Sequence, residues 1–212
     1  MIWKLDNMLK KIEIKKTKLL LVEGIDALHF FIAALDYYKI DHIQVLDFGG
    51  IKQLEDYIKI LKLLDNYDIV ETIVIVRDAE TDANGAVTSV SNILKRNFSN
   101  PPLKPFSYAS TEKRLAFMIF PGFDADGNLL NGTLEDLCLG TVDNDLKNIS
   151  NEFIDNLNQS YNFKCIHKTK LHNYLTINDK FVGSKIGEAS KYGAWKWEHS
   201  SLTYYKNILE EM

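Results

Sequence analysis

The sequence predicts an α/β fold: a mainly parallel, four-stranded sheet with helices on both faces and a mostly helical C-terminal extension. Two observations carry that prediction. Short continuous apolar runs alternate with longer stretches of helical periodicity up to Gly122, the pattern of successive βαβ units. Beyond Gly122 the alternation stops and polar helical segments with glycine breaks take over.

The elements follow in order. TKLLLVEG (17–24) is an apolar run closed by Glu-Gly, as expected of a strand buried on both faces. IDALHFFIAALDYYKI (25–40) carries Leu28, Phe31, Ile32 and Leu35 at helical spacing. IQVLDFGG (43–50) is a second strand closed by two glycines, and IKQLEDYIKILKLL (51–64) a second helix with charges between its apolar positions. VETIVIVRDAE (70–80) is the strongest strand, built on Ile73, Val74, Ile75 and Val76. AVTSVSNILKRNF (86–98) is a third helix, and RLAFMIFPG (114–122) a fourth strand stopped by Pro121 and Gly122. FDADGNLLNG reads as a loop, TLEDLCLG as a helix opening on Thr133, 144–161 as a polar helix, and SLTYYKNILEEM as a last amphipathic segment. The division is therefore an α/β core over 1–140 and a helical extension over 141–212 packed upon it.

Composition narrows the function. The 212 residues are 46% hydrophobic and 25% charged, enough apolar material for a real core and too much for disorder. With 29 acidic against 25 basic residues the formal charge is -4, which excludes a protein that coats DNA by charge alone. Cys138 and Cys165 have no CxxC spacing, so neither a disulfide framework nor a zinc site is expected, and a reducing cytoplasm is. The start, MIWKLDNMLKKIEIKK, interrupts every apolar stretch with charge and is not read as a signal peptide; no segment is long enough to span a bilayer.

Parallel sheets gather their ligands at the carboxyl ends of the strands. The polar residues at those ends are nearly all acids: Glu23 with Asp26 after the first strand, Asp78 and Glu80 with Asp82 after the third, and Glu135 with Asp136 past the fourth. Residues two apart on an extended chain point to one side, so Asp78 and Glu80 could face one ion. Clustered carboxylates repel unless a cation lies between them, and an all-oxygen set without His or Cys points to Mg²⁺ or Mn²⁺ rather than zinc. Taken singly, each acid is also a plausible helix cap or turn residue.

LLLVEGIDALHFF followed by TIVIVRDAETD resembles the Toprim domain, the catalytic fold of topoisomerases, bacterial primases, OLD-type nucleases and the enzyme maturing ribosomal 5S RNA. Glu23-Gly24 matches its Glu-Gly motif, and Asp78-Ala79-Glu80 its Asp-x-Asp motif with Glu80 replacing the second Asp. Leu134-Glu135-Asp136 fits the Leu-Glu pair of the OLD-type branch. The whole chain, through RDAETD, IFPGFDADGNLLNGTLEDLCL and GSKIGEASKYGAW, resembles a family of small stand-alone Toprim-related bacterial and archaeal proteins. The resemblance implies a Rossmann-like core, with Glu23 as general base or metal ligand and Asp78, Glu80 and Glu135 as metal ligands. Asp26 and Asp82 would serve a second ion, and a lysine from beyond the core, Lys191 or Lys185, would meet the developing charge.

Other patterns carry less. Asp124, Asp126, Asn128 and Glu135 fall at positions one, three, five and twelve of an EF-hand loop, but Leu129 stands where that loop needs Gly and no helix precedes it. Arg77 could pair with a carboxylate or a phosphate. His29, His167, His172 and His199 lack ligand spacing and read as structural. Trp195, Trp197, Tyr204 and Tyr205 could stack bases, though packing on the sheet accounts for them. There is no Gly-x-x-x-x-Gly-Lys loop, so ATP hydrolysis is not expected of this chain. The expected function is Mg²⁺-dependent cleavage of phosphodiester bonds in DNA or RNA, with a separate ATPase and further copies of the chain as candidate partners and no membrane. The competing expectation is a non-catalytic scaffold or regulatory protein on the same fold.

Overall fold

Burial on both sides makes strands of the apolar runs. In the computed structural model, which describes residues 12–110, 112–142 and 145–212, these are β1 (Lys18–Val22), β2 (Ile43–Asp47), β3 (Thr72–Asp78), β4 (Ala109–Ser110) and β5 (Arg114–Phe120). The sheet order is β2-β1-β3-β5-β4, parallel throughout except for β4, which pairs antiparallel with β5. Among the described residues the sheet thus has five strands where the sequence predicts four. The addition is a two-residue edge strand, too short to leave a periodic signal. Residues 1–11, which carry most of the segment read as lacking a signal peptide, lie outside the described residues. No helix among the described residues is long and apolar enough to cross a membrane.

Eight helices of the described residues surround the sheet: α1 (Ile25–Tyr38), α2 (Ile51–Leu61), α3 (Ala83–Asn97), α4 (Leu134–Gly140), α5 (Asp145–Tyr161), α6 (Ile166–Ile177), α7 (Ile186–Lys191) and α8 (Thr203–Glu211). Strand side chains alternate between faces. Leu19, Leu21, Ile73, Ile75, Phe117 and Ile119 pack against α2 and α3. Leu20, Val22, Val74, Val76, Met118 and Phe120 pack against α1 and the helices that follow Gly122. The C-terminal extension therefore shares one core with α1 and the sheet: Leu171, Tyr174, Ile186, Ala189, Trp195, Tyr205 and Ile208 all join it. Tyr205 anchors the last helix, its hydroxyl donating to the Ile119 carbonyl at 2.8 Å while its ring stacks on Phe120.

α1 corrects the stripe of Leu28, Phe31, Ile32 and Leu35 that its spacing predicts. Its buried stripe is Ala27, Phe30, Phe31, Ala34 and Leu35, whereas Ile32 is 49% exposed. The helix is apolar almost all round, so periodicity alone does not mark its inner face.

The connections define where a ligand would sit. From β1 the chain passes through α1 to β2 on one side, and from β3 through α3 to β5 on the other. The strand order reverses between β1 and β3, and the crevice beyond their carboxyl ends is the topological switch point of an open α/β sheet.

Candidate functional site: carboxylates at the switch point

Glu23 and Asp78 end the two strands that flank this crevice. β1 and β3 run in register with Val22 opposite Val76, and the Glu23 N–H donates to the Val76 carbonyl at 3.1 Å. Gly24 then turns the chain into α1 with φ 88, a left-handed conformation that a side chain would strain. Its N–H, like that of Gly49, donates to Asp47 Oδ1, at 2.9 and 2.7 Å. Asp47, at the end of β2, thus pins the loop that presents Glu23.

Glu23 Oε1 accepts from the Ile51 N–H at 2.9 Å, at the first residue of α2. Glu23 Oε2 is buried and has no hydrogen-bond partner. Arg77 Nε lies 3.7 Å from it, beyond hydrogen-bonding distance, and donates instead to the Asp78 carbonyl at 3.0 Å. Burial raises the Glu23 carboxyl above its ordinary range; Arg77 and the Ile51 and Asp78 N–H groups oppose the rise, and Glu80 adds to it.

Asp78 is the hub. Its Oδ1 accepts from the Leu134 N–H at 2.9 Å, at the opening of α4. Burial pushes its carboxyl up to about 7, helped by the charges of Glu135, Glu23 and Glu80 and opposed by the Leu134 hydrogen bond. Glu135, next along α4, is only 4% exposed, and its nearest cation is Lys168 Nζ at 3.7 Å from Oε1. The buried thiol of Cys138 shows which acids stand around it. Burial lifts it far above its usual range, and Glu135, Asp26, Asp136 and Asp78 push the same way.

The structure therefore brings Glu23, Asp78 and Glu135 into one electrostatic neighbourhood, with Asp26 and Glu80 at its margin. Glu80 does not get there by strand alternation. β3 ends at Asp78, and Glu80 has φ 55 and is exposed, its backbone paired both ways with Gly132 at 2.8 and 2.7 Å. The extended geometry expected of Asp78-Ala79-Glu80 is replaced by a turn. Asp82 caps α3 instead, accepting from the Gly85 N–H at 2.9 Å. Lys191 sits at the end of α7 in a groove against α1, and Lys185 at the opening of the same helix. Neither has an ion pair among the described residues, whereas Lys168 does reach the acids. Asp124 takes up its own loop, its Oδ1 accepting from the Asp126 and Asn128 N–H groups. Among the described residues, no three His, Cys, Asp or Glu side chains stand close enough as placed to chelate a metal.

Sequence reasoning missed Asp47, Lys168 and the pairing of His167 with Asp136, whose Nδ1 and Oδ1 lie 2.8 Å apart. Asp47 carried a signal, an acid at a strand end before two glycines. Lys168 and His167 come from α6, and nothing local announces that this helix packs beside α4.

The fold and its acids define an α/β protein with a carboxylate-lined crevice at the switch point of a mostly parallel sheet. Residues 17–212 match a family model, and the chain belongs to that family, described as "Protein of unknown function (DUF3226)". No curated protein matches the chain. It is similar in fold to the crystal structure of a hypothetical protein from Pyrococcus horikoshii OT3, with 17% identity, 93% of each chain covered and a TM-score of 0.54.

Proposed function

We propose that this chain is a Toprim-like, Mg²⁺-dependent nuclease cleaving phosphodiester bonds of DNA or RNA at the β1–β3 crevice. The observation that carries this reading is Glu23 Oε2, a buried carboxylate oxygen with no hydrogen-bond partner beside a second carboxyl, Asp78, held up to about 7. A buried carboxylate oxygen met only by an ion pair at 3.7 Å and a crowded acid are both costly in a folded chain, and together they support the reading of a functional site. Their donor chemistry fits a hard divalent cation, since every candidate ligand is an oxygen. Glu23, Asp78 and Glu135 would hold it by drawing closer together than they stand here, with Asp26 and Glu80 at the margin. A bound Mg²⁺ supplies Lewis-acid polarisation of a phosphoryl oxygen.

The chain's own residues do the positioning. The Ile51 and Leu134 N–H groups orient Glu23 and Asp78 from opposite sides of the crevice. Arg77 is held by the Asp78 carbonyl within reach of Glu23, where a guanidinium can meet a phosphate oxygen. Lys168 offers a second cation on the Glu135 side. An ATP-driven step, if the protein takes part in one, falls to a separate ATPase.

The non-catalytic reading has an observation of its own: Glu23 and Asp78 also tie the openings of α2 and α4 to the strand ends. Incubation with supercoiled plasmid and single-stranded RNA in Mg²⁺ or Mn²⁺ separates the two. The nuclease reading expects nicking or cleavage that falls at least roughly 100-fold in Glu23→Gln, a loss typical of a group acting on the reacting centre. Equal traces from wild type and variant, or none from either, favour the scaffold.

A further inference from the structure

A wide groove of the described residues is not made by the strand-end carboxylates. α1 buries its Phe30–Phe31 side, and its outer residues Ile32, Ala33 and Tyr37 form one wall of a groove of about 960 Å³. α7 and the segment through Glu198 form the other wall. That size suits a nucleotide-sized ligand. Where α7 meets α1, a Cβ on Gly187 would stand 2.4 Å from the His29 Cβ, so only glycine permits the approach.

The groove is built rather than slack. Trp195 Nε1 donates to Ser190 Oγ at 2.7 Å, and that hydroxyl donates to the Ile186 carbonyl at 2.7 Å. The Tyr38 hydroxyl donates to the Trp197 carbonyl at 2.5 Å, and the Tyr37 ring, 47% exposed, lies 6.1 Å from that of Trp197. The exposed Tyr37 ring and Ile32 give an apolar surface backed by Trp195 and Trp197, which are buried beneath it. Around it stand Lys39, Lys191 and Lys196, none with an ion pair or a side-chain hydrogen bond among the described residues. Of the two acids present, Glu198 is taken by Lys206 at 3.0 Å, leaving Asp36. Three exposed ammonium groups thus border an apolar floor. They complement a ligand that carries a flat ring and a multiply charged anion together.

We propose that this groove binds a nucleoside phosphate, its base against the exposed Tyr37 ring and Ile32 and its phosphates on Lys39, Lys191 and Lys196. The assignment goes beyond the nuclease reading and does not depend on it, because none of the carboxylates at the crevice lines the groove.

Calorimetric titration of the full chain with AMP, GMP, UMP and ADP in EDTA tests it without any metal. Saturable binding is expected, stronger for ADP than for the monophosphates, and weaker for adenosine or inorganic phosphate alone. Lys39→Glu, Lys191→Glu and Lys196→Glu should each weaken ADP binding roughly three- to tenfold, as loss of a partly exposed charge contact does. Lys104→Glu, an exposed lysine away from the groove, should leave it unchanged. Exposed lysines tolerate such changes, and circular dichroism confirms the fold of each variant. No saturation by any nucleotide, or equal binding by the wild type and the triple lysine variant, overturns the proposal. So does saturation by a ten-residue oligonucleotide when no nucleotide binds. Nucleotide binding in a chain that never cleaves nucleic acid would keep the groove and remove the nuclease reading.

Discussion

At the residue scale the crevice is defined by cost. Asp78 is held up to about 7 against an ordinary 3.8, by burial first and by Glu135, Glu23 and Glu80 after it. Between roughly pH 4 and 7 the folded chain therefore keeps a proton that the unfolded chain has released, and stability without metal falls as the pH rises through that window. Glu23, raised in the same direction, adds to the slope. Asp78→Asn keeps an acceptor oxygen for the Leu134 N–H and removes the charge. Urea unfolding should find the variant more stable than wild type at pH 8, by on the order of 2 kcal/mol, and little different at pH 4. A variant less stable at pH 8 would mean that Asp78 serves the fold as a carboxylate. These acids were legible because the sequence puts them at strand ends, where parallel sheets collect ligands. The weakly held oxygen of Glu23 was not, since it depends on where Arg77 stops, with its Nε 3.7 Å away.

At the scale of elements, strands were read more securely than the turns between them. The β-branched run Ile73–Val76 is buried on both faces, and no other element suits it. The third helix begins at Ala83, three residues before the first residue the periodicity predicts, because Asp82 and Asn131 accept from the Gly85 and Ala83 N–H groups, both at 2.9 Å. Asn131 comes from 48 residues further on, so that half of the cap has no local signature. Asp82 is thereby spent on the helix rather than on an ion. Asp82→Ala should cost about 1 kcal/mol of stability by thermal unfolding and leave metal binding at the crevice unchanged, while Asp82→Ser restores most of the loss. Metal affinity that falls with Asp82→Ala and returns with Asp82→Glu would return it to the ligand set. α1 teaches the converse lesson: with apolar residues on nearly every side, its sequence marks a helix but not its inner face, and the groove behind Ile32 and Tyr37 goes unseen.

Across the whole molecule, the helices after Gly122 complete the core that α1 begins, and through α6 they deliver Lys168 and His167 to the carboxylates of α4. Their sequence shows amphipathic segments but not what they pack upon, because long-range contacts leave no local pattern. The net charge of -4 is unevenly spread. Glu23, Asp78 and Glu135 crowd the switch point, and Lys39, Lys191 and Lys196 rim a separate groove. The central claim, that the crevice acids hold a divalent cation, is tested most directly by calorimetric titration of Mn²⁺ into the wild type, Glu23→Gln and Asp78→Asn at pH 8 and pH 6. The account expects saturable binding at pH 8, at least roughly tenfold weaker in either variant. It also expects weaker wild-type binding at pH 6, where a proton held by Asp78 competes with the metal. Absence of binding, or binding that neither substitution nor pH alters, would contradict it.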